Sequence, residues 1–164
     1  MEDKDKTKDP LLNESTDLHN ELKELKDAAE NKKGLELIPT GTERVLVVDD
    51  EERSLSLMKT ILERLGYTVT ALAGSLEALE LFKKDPHQYD LILTDLIMPF
   101  LTGDKLVSEI IAIRPDMPVI LTSGFTDIID NDKFKQISNK AFISKPFQAQ
   151  EFAKTVRQIL DRTV

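Results

Sequence analysis

The chain has 164 residues, 40% of them hydrophobic, with no Cys, two His and a net charge of −8. That is enough for one packed domain with an appendage, and it excludes a disulfide framework or a thiolate metal site. No apolar stretch approaches ~20 residues and the charged N-terminus lacks an apolar core, so neither membrane insertion nor a secretory signal is expected, and the expected location is cytoplasmic.

Residues 1–43 hold 12 acids and 7 bases, which accounts for −5 of the charge, and residues 44–164 account for −3. No basic stripe with interleaved aromatics is present, which argues against direct nucleic-acid binding. Seven of residues 1–10 are charged, and the segment reads as disordered. Over 11–33, Leu11, Leu18 and Leu25 recur every seven residues, with Ser15, Leu22 and Ala29 at the alternate seam positions. This predicts a helix with a weak coiled-coil seam, able to support a homodimer or to stand as a solvated helix. Gly34 stops it, and Pro39-Thr40-Gly41 reads as a linker. Residues 1–42 are therefore expected to form an extension and 43–164 the domain.

From Arg44 onward the pattern alternates. Strands are predicted near 44–49, 67–72, 90–95, 118–123 and 140–144, and helices near 51–65, 75–84, 103–113, 127–137 and 148–161. Five such units at this length predict an α/β fold, a parallel sheet wrapped by helices on both faces. In the first of these helices, Leu57, Met58, Ile61 and Leu65 form a stripe expected to face the sheet. Leu55 and Leu62 lie off that stripe. They either widen the buried face or form a partly exposed patch for a partner helix.

Four apolar runs end in reactive polar residues: Val45–Val48 in Asp49-Asp50, Leu91–Thr94 in Asp95, Val119–Thr122 in Ser123, and Ala141–Ser144 in Lys145-Pro146. Ligand sites of open parallel sheets lie beyond the carboxyl ends of the strands. Three carboxylates, a hydroxyl and an ammonium are thus expected at one rim. Adjacent carboxylates repel unless a cation neutralises them. An all-oxygen donor set suits Mg²⁺. An aspartate beside such an ion can act as a nucleophile towards a phosphoryl group. Each residue also has a plain structural use: Asp caps helices, Ser123 can bond its own loop, and Lys145 can lie along the surface.

In order and spacing, Val48-Asp49-Asp50-Glu51, Thr94-Asp95-Leu96-Ile97-Met98-Pro99, Gly103, Thr122-Ser123-Gly124 and Lys145-Pro146-Phe147 resemble the receiver domain of two-component response regulators over roughly residues 43–162. The linker over 37–43 and the Thr122–Phe125 segment resemble receivers attached to hybrid histidine kinases. Ser138-Asn139-Lys140 departs from the family's usual turn before the fifth strand. The resemblance implies a flavodoxin-like, doubly wound five-stranded sheet in the order 2-1-3-4-5.

It further implies that Asp95 is the phospho-acceptor. Mg²⁺ (or Mn²⁺) would be held by Asp50, Asp95 and the Ile97 backbone carbonyl, with Asp49 acting through a water. Ser123 and Lys145 are the implied phosphoryl-binding switch residues, Phe142 the aromatic switch, and Lys145–Pro146 a cis peptide. The implied phosphoryl source is a histidine kinase or histidine phosphotransfer domain. A downstream protein target would read a face formed by the 127–137 helix, the fifth strand and the last helix. Ile97 and Phe125 flank the phosphoryl site and are apolar, so they are expected to hinder an attacking water and prolong the phosphorylated state. Such a domain is a signalling acceptor, not a turnover enzyme. The alternatives are an Mg-dependent phosphohydrolase with an aspartate nucleophile, or an unphosphorylated scaffold.

Overall fold

The structure is a computed structural model that describes residues 17–26, 37–124 and 139–162. The chain divides into two compact units, Met1–Ile38 and Pro39–Val164. In the first, residues 17–26 are helical and Leu25 is buried. The remaining heptad positions Leu11, Ser15 and Ala29 lie outside the described residues, as do Phe125 and the helix expected over 127–137.

The second unit contains β1 (Arg44–Val48), α1 (Glu52–Arg64), β2 (Thr68–Leu72), α2 (Ser75–Lys84), β3 (Leu91–Asp95), α3 (Gly103–Ile113), β4 (Val119–Ser123), β5 (Lys140–Ser144) and α4 (Ala149–Asp161). All pairings are parallel, in the order β2-β1-β3-β4-β5. This is the flavodoxin-like order that the resemblance implies. Val45–Val48 and Leu91–Leu93 are wholly buried, as strands covered on both faces must be. One core cluster joins Leu46, Val48, Ile92, Val119 and Leu121 of the sheet to Phe82 of α2 and Leu106 and Ile110 of α3. Helices α1 and α4 cover the other face. Charges complement the helix dipoles, with Glu77 in the first turn of α2 and Lys83 and Lys84 in its last.

Leu62 is fully buried together with Met58 and Ile61, whereas Leu57 and Leu55 are only partly covered. The exposed-patch reading is thereby corrected for Leu62, which widens the buried face of α1, while Leu55 stays partly exposed. The sheet and α4 both press on this helix, so its apolar arc is broader than one stripe.

The entry to the domain is held by charge. The Arg157 guanidinium of α4 donates to both carboxylate oxygens of Glu43, at 2.7 and 3.1 Å, and to Asp161 at 2.8 Å. The hydrogen bond from Arg157 holds the Glu43 carboxyl below its ordinary 4.5. Because the folded value lies below the unfolded one, this stabilisation is present above about pH 4.5 and is lost as pH falls through the lowered value. Glu43→Gln is expected to cost about 1 kcal/mol in urea unfolding near neutral pH. The difference from wild type should disappear in strong acid.

Candidate functional site

The register aligns the reactive strand ends. Val48 pairs with Thr94 and Asp95 with Thr122, so Asp49 and Asp95 follow at one level on adjacent strands. Ser123 ends β4 opposite Ser144, and Lys145 follows directly, its N–H donating to the Ser123 carbonyl at 2.8 Å. Asp49, Asp50 and Asp95 each place a carboxylate oxygen within 4.8 Å of the others. Asp49 is 0% exposed and Asp95 9%, whereas Asp50 stands at the exposed lip. The pocket therefore has a buried floor and an accessible mouth.

The Lys145 ammonium bridges the floor, at 2.7 Å from Asp49 Oδ2 and 3.2 Å from Asp95 Oδ1. Burial would lower this ammonium, but the hydrogen bond to Asp49 and the charges of Asp49 and Asp95 raise it, so it stays charged. Burial pushes the Asp49 carboxyl up, against the opposing pull of Lys145. Asp49 also accepts the Glu51 N–H at 2.9 Å, so its turn-forming use and its place in the pocket coexist.

Three carboxylates and one ammonium leave a formal charge of −2, which a divalent cation cancels. With oxygen as the donor in every case, the set fits Mg²⁺ or Mn²⁺. Among the described residues this is the cluster of acids able to hold such an ion.

Around it, Ile97 is 46% exposed in the loop after β3. The Lys145–Pro146 peptide is cis, and Phe147 stacks on buried Phe152 with ring centroids 4.8 Å apart. Ser123 is buried at the end of β4. Phe142 is not at the acids; it pairs with Leu121 in mid-strand and packs, partly buried, on the core cluster. Gly103 has a part that its motif position alone does not disclose. A β-carbon there would collide with the Asp95 carbonyl, and its N–H donates to the Leu96 carbonyl at 2.8 Å. Only glycine lets α3 start against the strand end that carries Asp95.

The response regulator receiver domain family profile matches residues 45–157. Over 93 residues, 57% of this chain and 16% of the relative, the sequence is 38% identical to the two-component response regulator ARR10 of Arabidopsis thaliana. It is 29% identical over 123 residues to the sensor kinase CckA of Brucella abortus (strain 2308), covering 75% of this chain and 13% of that protein. The chain thus spans a minor part of these curated relatives. Among solved structures, a response regulator receiver domain protein from Clostridium thermocellum superimposes with a TM-score of 0.66 at 31% identity, covering 73% of this chain and 95% of that one. With the parallel order, the acid trio and the bridging lysine in place, the chain belongs to the response regulator receiver domain family.

Proposed function

We propose that this chain is a phosphorelay acceptor, taking a phosphoryl group from the phosphohistidine of a histidine kinase or phosphotransfer domain onto Asp95. The observation that carries this reading is a carboxylate that is nearly buried yet opens to a mouth, set beside two further acids and within 3.2 Å of a lysine ammonium.

An Asp95 oxygen attacks phosphorus and an acyl phosphate forms. The P–N bond breaks, and its electron pair stays with the imidazole nitrogen, which then takes a proton. A divalent cation held by Asp50, Asp95 and the Ile97 carbonyl, with Asp49 acting through a water, would screen the approach of the anionic donor. Lys145 already lies against Asp95 and can pair with a phosphoryl oxygen as a point charge. The Ser123 hydroxyl can donate to another. As Ser123 shifts, Phe142 turns inward, and the face that includes β5 and α4 changes its population of conformers for a protein target. The N-terminal heptads would supply dimerisation.

A phosphohydrolase would turn over. Wild type incubated with a generic phosphomonoester should release no sustained phosphate, while acetyl phosphate should label each chain once. Sustained turnover would contradict the acceptor reading.

The apolar Ile97 and Phe125 give no group to orient water. Ile97→Asn combined with Phe125→Glu is expected to speed loss of the label by roughly tenfold, below the ~10²–10⁴-fold of a fully positioned general base because these side chains would only orient the water. An unchanged or slower decay rate would refute this.

A further inference from the structure

The loop between β3 and α3 is pinned at both ends. Met98 is buried and Leu101 packs on the core cluster. The Pro99 carbonyl accepts the Leu101 N–H at 2.8 Å and the Ser75 hydroxyl at 3.4 Å, while Gly103 closes on Leu96. Between these anchors Phe100 has φ +67° and is 93% exposed. The two-residue hydrogen bond around it, with positive φ, is the rare and strained form of γ-turn. Left-handed backbone suits Gly or Asn, and a side chain with a β-carbon is strained there. A solvated ring returns no packing for that strain. Strained residues of this kind cluster at working surfaces.

Ile97, on the same loop, adds a second exposed apolar side chain near Asp95. The neighbouring β1–α1 segment carries exposed Asp50, Glu51 and Glu52. The mouth above Asp95 is therefore apolar on one loop and acidic on the other.

We infer that Phe100 is an aromatic anchor for the protein that delivers the phosphoryl group, a partner with an apolar contact for Phe100 and Ile97 and basic side chains for Glu51 and Glu52. This rests on Asp95 being the phospho-acceptor. The macromolecular donor is the occupant because phosphorus must be seated over a recessed carboxylate, so whatever carries it covers the rim. A second copy of this chain would bring the same acids to an already acidic mouth. A small donor reaches Asp95 without touching the loop tip.

Phe100→Asn keeps the left-handed backbone accessible and removes the ring. It is compared with wild type and Phe100→Tyr using acetyl phosphate with Mg²⁺, and using the purified autophosphorylated histidine kinase that labels wild type fastest in a panel. The expected result is a labelling rate within about twofold of wild type from acetyl phosphate, and a Tm unchanged or higher. Transfer from the kinase should fall about tenfold, mainly through KM, and be largely restored in Phe100→Tyr. Equal loss with both donors, no loss with the kinase, or a wild-type dimer that Phe100→Asn dissociates would overturn the inference. So would failure of every kinase where acetyl phosphate succeeds. Failure of acetyl phosphate to label Asp95 in wild type would instead overturn the acceptor reading itself.

Discussion

Replacing Lys145 with methionine is expected to destabilise the domain by about 3 kcal/mol in the presence of a chelator, the scale for stripping a buried carboxylate of its counter-charge. The ammonium lies 2.7 Å from Asp49, which has no solvent exposure, and 3.2 Å from Asp95. Methionine keeps much of the apolar stem, so the loss reports charge more than volume. Burial already raises the Asp49 carboxyl, and its ionised form therefore costs stability above that raised value. The cost disappears as pH falls through it. Without Lys145 the cost grows, so the deficit of the variant should shrink on acidification and again when Mg²⁺ is added. Labelling from acetyl phosphate should drop roughly a hundredfold, the scale for losing one preorganised electrostatic contact to a transferring group. Urea unfolding with and without Mg²⁺ checks the stability arm. An equal deficit in both conditions would mean that Lys145 acts through packing alone.

Asp50→Asn should behave in the opposite way. Asp50 stands exposed at the lip. In chelator the variant is expected to unfold within about 0.5 kcal/mol of wild type, as surface substitutions do. Its affinity for Mg²⁺ should fall roughly a hundredfold, because ligand charge sets the strength of such sites. Calorimetric titration measures this directly. Unchanged affinity would remove Asp50 from the ion's ligands. One variant thus loses stability that the ion partly restores, while the other keeps its stability and binds the ion weakly.

Much of this was legible in the residues. Parallel strands buried on both faces read as unbroken apolar runs, so their ends could be placed within a residue and the reactive side chains assigned to one rim. Other features need distances. The bridge from Lys145 to Asp49 joins residues 96 positions apart, and the Arg157–Glu43 pair spans 114. Neither has a local signal, because each depends on how the last helix and strand return to the first. The burial of Leu62 depended on how much of α1 the sheet and α4 cover. Phe100 was silent for a different reason. A turn with positive φ is announced by Gly or Asn, and here an aromatic residue occupies it. The missing turn residue was the informative sign.

The central claim is tested most directly by intact mass spectrometry of wild type and Asp95→Ala after incubation with acetyl phosphate and Mg²⁺. Wild type should gain the mass of one phosphoryl group, and lose that gain when a chelator replaces the metal. Asp95→Ala should gain nothing under either condition. A phosphorylated Asp95→Ala chain, or a wild-type chain left unmodified while Mg²⁺ is bound, would contradict the account.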